Sequence, residues 1–251
     1  MQEEQTEYIP DLYWEQAGVS YPYYPSVRHR KRFIINAIKK YRLKDNSLIF
    51  DYGCGVGAIL KEVKKVFRFG CEHFGGCDIS ARAIDIAKKE LDTPYLYNDL
   101  FPVLNRRCDI IICCEVLEHT KDYFRILLWI RDNLADGGRL ILTTQTGRIH
   151  RSDRYTGHAQ HFEIAHLKAI LRNMGFNIEY ASLWGWPFFT LQKYLTNFNF
   201  GKIRNNYLEG RLTLRKKIVF GIANILFYIH DLIKLGPQIY IIASKERSEQ
   251  K

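Results

Sequence analysis

Apolar and polar positions along this chain fall into blocks that switch between two periods. Short runs at 47–50, 72–77, 94–97, 109–114, 139–144 and 238–243 read as strands. The strongest, Asp109-Ile110-Ile111-Ile112-Cys113-Cys114, is apolar at every position after its first, as a strand buried on both faces should be. Between the strands the spacing becomes helical. Ile59, Leu60, Val63 and Val66 share one face of a helix over 56–67, and further helices are expected over 81–91 and 121–134. An amphipathic helix over 27–41 precedes the first strand, with Phe33, Ile34, Ile35 and Ile38 inward and its basic residues outward. Strands alternating with helices predict an α/β fold built on a parallel sheet.

Two segments break the pattern. Residues 1–25 are rich in aromatics (Tyr8, Tyr13, Trp14, Tyr21, Tyr23, Tyr24), and Pro10, Pro22 and Pro25 oppose regular helix there. The segment reads equally as a lid over a ligand mouth or as an arm on the sheet edge. Residues 185–236 form a long insertion before the last strand, containing a nearly continuous apolar run at 218–229 preceded by Lys216 and Lys217. Twelve residues are short of the roughly 20 that span a membrane. Three readings stay open for this run: a helix buried in a substrate lobe, an interfacial helix on a membrane, or a contact with a second copy.

With 251 residues and 47% hydrophobic content, the chain is expected to form one domain. Its parts are an arm and helix over 1–45, a ligand-binding core over 46–184, the insertion, and the last strand over 237–245. The cysteines at 54, 71, 77, 108, 113 and 114 show no CxxC pair, which points to reduced thiols rather than a disulfide scaffold or zinc site. The polar, acidic start at 1–5 is unlike a secretory signal, so the expected location is cytoplasmic, at the inner face of a membrane if the interfacial reading holds. A net charge of +10 is carried largely by 28–32, 39–44 and 211–217. It is read as a solvated basic surface, or as a face for an anionic membrane, a pyrophosphate-bearing substrate or RNA.

The candidate chemistry begins after the first strand, where Asp51 leads into Gly53-Cys54-Gly55-Val56-Gly57. Glycines here permit a sharp turn and close approach of backbone to ligand. Gly53, Gly55 and Ala58 also fit the dinucleotide-binding G-x-G-x-x-A fingerprint. Asp78 closes the second strand, 21 residues after Gly57, near where an adenosine-binding unit places the carboxylate that accepts both ribose hydroxyls. An N-cap is the competing role, and Ser80 suits it better.

Asp51 with its glycine turn, the Glu115-Val116-Leu117-Glu118-His119 sequence after a D-I-I-I strand, and Asp136-Gly137-Gly138 before another strand together resemble the class I S-adenosylmethionine-dependent methyltransferases. Gly157-His158-Ala159-Gln160-His161-Phe162, with Leu167, Leu171 and Gly175-Phe176, resembles the branch holding ubiquinone-biosynthesis and glycan- or lipid-pathway O-methyltransferases. The resemblance covers about residues 45–185. It implies a Rossmann-like, seven-stranded, mostly parallel sheet with helices on both faces, an antiparallel last strand, and a helical insertion before that strand. It implies S-adenosylmethionine as cofactor, cradled by Asp51, Gly53, Cys54, Gly55, Gly57, Asp78, Ile79, Asn98, Asp99, Leu100, Cys114 and Glu115. Asp99 would face the adenine amino group; an Asx turn is the alternative.

His119, His158 and His161 are the candidate catalytic residues, because methylating a hydroxyl needs a group to take its proton. Relatives that use an E-x-x-E-H set for a divalent metal imply Glu115, Glu118 and His119 as ligands for Mg²⁺ or Mn²⁺, with His158 or His161 completing the site. Spacing of i, i+3, i+4 puts the three on one side if a helical turn starts at the strand end; the alternative is a metal-free set of helix-start residues. His29, His73, His150, His166 and His230 are read as ordinary surface or core histidines. The expected acceptor is a small molecule, a glycan or a lipid-linked compound. The alternatives are an RNA 2′-O-methyltransferase, with no RNA-binding module to support it, a non-catalytic binding protein, and a nicotinamide oxidoreductase.

Overall fold

A computed structural model of the chain describes residues 9–17, 20–41, 43–68, 70–203 and 212–247. The polar start at 1–5, Tyr8, Arg211 and the tail after 247 lie outside them. Seven strands, β1 (Ile49–Tyr52), β2 (Phe74–Cys77), β3 (Leu96–Tyr97), β4 (Cys108–Cys114), β5 (Leu134–Gln145), β6 (Phe176–Trp184) and β7 (Gln238–Lys245), form one sheet. Its order is β3-β2-β1-β4-β5-β7-β6, parallel except that β7 runs antiparallel to both β5 and β6. Sequence patterning assigns no strand over 176–184. β6 is an edge strand with Asn177 and Glu179 exposed and carries a register shift, so its apolar signal is diluted.

Ten α-helices lie among the described residues: α1 (Pro10–Ala17), α2 (Pro25–Lys39), α3 (Ala58–Phe67), α4 (Ala81–Glu90), α5 (Tyr123–Asn133), α6 (Arg151–Tyr155), α7 (Ile164–Asn173), α8 (Phe188–Phe198), α9 (Phe200–Ile203) and α10 (Leu214–Leu226). Side chains of β4 alternate between two apolar layers. Ile110 and Ile112 pack with Ile34 and Ile38 of α2 and Leu60 and Val63 of α3. Ile111 and Cys113 pack with Ile126 and Ile130 of α5 and Leu167 and Leu171 of α7. Each such side chain taken fully out of water contributes about 1.5–3 kcal/mol.

Three expectations need correction. Prolines do not prevent a helix near the start: Pro10 and Pro25 each occupy a first helical position, where a missing N–H leaves no bond unmade. The basic residues of α2 are not all outward. Arg30 is 5% exposed, because Val27, Arg30, Ile34 and Ile38 share one helical face, and His29 is 2% exposed, because its ring stacks on Trp184 and bonds the Tyr240 hydroxyl at 3.0 Å. The Asp136-Gly137-Gly138 turn lies inside β5, where Cys108 pairs with Leu134 but Ile110 with Arg139, so residues 135–138 loop out of register. All six cysteines are free thiols.

Between β6 and β7 the chain makes α8, α9, α10 and a 3₁₀ turn at Phe227–Asp231. The Thr213 hydroxyl caps α10 by accepting from the Lys216 amide. α10 packs on α2 through Phe220, which meets Tyr24 edge-on. No helix among the described residues is long and apolar enough to cross a membrane.

Candidate active site

β1 and β4 are neighbours in the sheet, although β2 and β3 lie between them in sequence and extend the sheet the other way. This switch point opens a crevice at the strands' C-terminal ends, and here it forms a cavity of about 940 Å³. Gly53, Gly55 and Gly57 all take left-handed φ values, 75°, 50° and 74°, so the loop after β1 turns back sharply. The amides of Gly53 and Cys54 donate to the Cys77 carbonyl at 2.8 and 2.9 Å, which pins the loop to β2. A Cβ on Gly55 would land on the indole ring of Trp14, so α1 lies over the loop as a cover. A Cβ on Gly57 would strike Leu91 instead; this glycine lets the chain approach the end of α4 and stands outside the cavity lining.

Gly55→Ala should therefore lower stability by about 1–2 kcal/mol from the left-handed backbone, with a further loss from the displaced indole. Thermal melts of Gly55→Ala and of the double variant with Trp14→Ala separate the two contributions. A single variant that melts like the parent would contradict this packing.

Asp78 lines the cavity at the tip of β2, accepting from the Gly55 amide at 2.8 Å (Oδ2) and the Ser80 amide at 2.9 Å (Oδ1). Burial raises its carboxyl above the ordinary value. Ser80 takes the N-cap of α4, accepting from the Ala83 amide at 3.0 Å. Ile79, Asp99, Leu100, Cys54 and Cys114 also line the cavity; Asn98 does not. The Asn98 amide instead donates to the carbonyls of Asp78 (3.0 Å) and Ile79 (2.9 Å), holding the strand end in place. Asp99 makes the Asx turn, accepting from the Phe101 amide at 3.0 Å, while facing the cavity. Asp51 sits behind the loop, 1% exposed, and neither carboxylate oxygen has a hydrogen-bond partner among the described residues. Burial, helped by the Asp78 charge, pushes its pKa well up.

The acidic motif after β4 does not form the expected helical turn. Glu115 has φ 55°, and this left-handed residue redirects the chain before the 3₁₀ turn at Leu117–His119. Glu115 and Glu118 therefore part company. Glu115 faces the cavity and is bound by Arg30 at 3.2 Å, the Thr143 hydroxyl at 2.9 Å, and the side-chain amides of Gln145 (3.3 Å) and Gln238 (3.0 Å). Glu118 is fully buried; Thr144 donates to its Oε2 at 2.7 Å, and Oε1 has no partner among the described residues. Burial, then the neighbouring Glu115 charge, raises the Glu118 pKa well above its usual range.

Glu118, His119 and His158 bring one ligand atom each within 4.8 Å of the others, as do Asp153, His158 and His161; Glu115 joins neither group. The ring hydrogens follow from the partners. His161 Nδ1 faces the Gly147 carbonyl at 3.0 Å and must donate, so its Nε2 accepts from His158 Nδ1 at 3.0 Å. That leaves His158 Nε2 with a lone pair. His119 donates to the Gly157 carbonyl, which leaves a lone pair on its other nitrogen. His119 and His158 line the cavity, and His161 stands behind them. Burial holds both lining histidines neutral, His158 down to about 2. The buried carboxylate oxygen of Glu118 with two imidazole lone pairs is a donor set that suits a divalent cation.

Sequence reading missed Arg30, Gln145, Gln238, Asp153 and Lys193, whereas Trp14 belongs to the aromatic segment read as a lid or an arm. Lys193 reaches in from α8, 9% exposed, to Asp153 at 3.0 Å and Gln145 at 2.6 Å. Arg30 alone had a signal, its place on the apolar face of α2.

A family profile described as a methyltransferase domain matches residues 26–181. The ubiquinone biosynthesis O-methyltransferase of Schizosaccharomyces pombe is 28% identical over 152 residues, 54% of this chain and 52% of that protein. The chain thus spans about half the length of that curated relative. Among solved structures, the magnesium protoporphyrin IX methyltransferase of Synechocystis with bound S-adenosylmethionine superposes with a TM-score of 0.53 at 16% identity, covering 87% of this chain and 79% of that one. Phosphoethanolamine N-methyltransferase 2 of Haemonchus contortus, with the same cofactor, gives 0.55 at 15%, covering 85% and 52%. At such identities the structural likeness establishes the fold. The profile match covers more than half of the chain, and by it this protein belongs to the methyltransferase-domain family, the class I S-adenosylmethionine-dependent methyltransferases.

Proposed function

We propose that this chain moves the methyl group of S-adenosylmethionine to a hydroxyl oxygen of an apolar small-molecule or lipid-linked acceptor. The observation that carries the reading is the pair of neutral histidines, His119 and His158, facing the cavity with Glu118 behind them. In this reading the Asp78 carboxylate accepts from the ribose hydroxyls, Asp99 and Leu100 border the adenine, and Gly53 and Gly55 let the backbone approach the cofactor. Asp51, an orphaned buried carboxylate behind the loop, is the kind of group a cofactor's positive charge relieves.

The acceptor oxygen attacks the methyl carbon in line with the breaking carbon–sulfur bond, whose electron pair stays on sulfur as S-adenosylhomocysteine forms. The acceptor's proton passes to the lone pair of His119, and His161 holds the His158 ring in its tautomer. A divalent cation held by Glu118, His119 and His158 would occupy that His119 lone pair and replace the base, lowering the pKa of the hydroxyl so that its proton leaves to solvent. Oxygen as the acceptor atom is also supported by the name of the S. pombe relative. Residues 46–184 serve as the cofactor core and 185–236 as the acceptor lobe.

Methyl-labelled cofactor offered with a polyprenyl catechol, a free sugar and an RNA oligonucleotide tests this. Label in a base-stable aryl ether supports it, and label only in the sugar or the RNA contradicts it.

The pH dependence has a definite sign. A histidine held neutral in the fold, with a pKa below 6.5, binds fewer protons than in the unfolded chain. Stability from these groups is present above pH 6.5 and falls as the pH drops below it. The acid limb of kcat should likewise lie below 6.5, because burial keeps His119 neutral there. Melting temperatures and kcat measured between about pH 5 and 8 check both; a limb at the ordinary histidine value would contradict the buried, neutral His119.

A further inference from the structure

We propose that α8 and α10 together form a docking surface for a bilayer carrying anionic headgroups. On α10, Leu214, Ile218, Ile222 and Ile225 fall within an arc of about 80° at 100° per residue. All four are exposed, at 74%, 54%, 57% and 69%. Lys216, Phe220 and Phe227 occupy the opposite, buried side. A helix that packs one face on its domain ordinarily turns polar residues to water; α10 turns isoleucines.

α8 repeats the arrangement independently. Leu191, Tyr194, Leu195 and Phe198 follow i, i+3, i+4, i+7 spacing and are all exposed, Phe198 at 92%, while Lys193 is buried on the other side. Exposed apolar side chains so concentrated on two helices that both pack on the turn at Phe227–Asp231 and both line the cavity mark an interaction surface rather than ordinary scatter.

Charge identifies the occupant. Arg215 and Lys217 are exposed and flank the α10 stripe, and the chain carries a net charge of +10. Basic shoulders beside an apolar stripe suit anionic headgroups over an acyl layer. A second copy brought face to face would set the same shoulders against each other. The helix is too short to span, so it would lie in the interface. Leu191, Leu195, Val219 and Leu226 are exposed and also line the cavity, so the rim of the cavity lies on this surface. The surface stands whatever the acceptor proves to be.

Sedimentation of the full chain with vesicles of phosphatidylcholine and phosphatidylglycerol in equal parts, against phosphatidylcholine alone, is the test. Binding to the anionic vesicles that weakens with salt is expected. Ile222→Asp with Ile225→Asp should weaken it about tenfold or more, Phe198→Asp less, and Arg215→Gln with Lys217→Gln should flatten its salt dependence. None of these residues lines the cavity. The melting shift given by S-adenosylhomocysteine should stay as in the parent, which shows that each variant is folded. Absence of binding by the parent, or binding that none of the variants alters, overturns the proposal. So does a dimer in sedimentation velocity that Ile222→Asp disperses.

Discussion

Replacing Asp78 by alanine should weaken S-adenosylhomocysteine binding by about a hundredfold or more. Each charge-assisted hydrogen bond from a ribose hydroxyl to a half-buried carboxylate stabilises by about 1.5–3 kcal/mol, and two of them would be lost. The carboxylate also accepts from the Gly55 and Ser80 amides, at 2.8 and 2.9 Å, so the glycine loop loses a tether at the same time. The fold itself should survive, because Ser80 caps α4 without it. Asp78→Asn keeps one acceptor oxygen and should fall between the two. Calorimetric titration measures the affinity, and an unchanged Kd for Asp78→Ala would remove the ribose assignment.

His119→Ala should lower kcat by about a hundredfold to a thousandfold while leaving S-adenosylhomocysteine affinity within about twofold. His119 reaches the cavity from the 3₁₀ turn after β4, beside Glu118 and His158, whereas the glycine loop is held by its own bonds to β2. Its loss should also shift the acid limb of the kcat profile, a readout that a purely structural role would not move. Full turnover in the alanine variant would exclude His119 as base or ligand.

Much of the sheet was legible because parallel strands buried on both faces leave continuous apolar runs, and β4 is the plainest case. β6 escaped because an edge strand shows only half of that signal. The cofactor loop was legible for a different reason: three left-handed backbone positions in five residues require glycine and so mark themselves. The separation of Glu115 from Glu118 was not legible, since i, i+3, i+4 spacing presumes a helix and the left-handed φ at Glu115 cancels it. Arg30 and Lys193 were hidden by their chemistry. Basic side chains are assigned to solvent by default, and only the fold supplies the half-buried Glu115 and the buried Asp153 that accompany them. The aromatic segment holding Trp14 was legible as a lid or an arm, but its contact with Gly55, 41 positions away, is one no local pattern reports.

The most direct measurement is a crystal structure grown with S-adenosylhomocysteine. The ribose hydroxyls should lie within hydrogen-bond distance of the Asp78 carboxylate, with the adenine beside Asp99 and Leu100 and the sulfur open toward His119. A nucleoside bound elsewhere, or a crevice still filled by protein side chains at saturating ligand, would contradict the account.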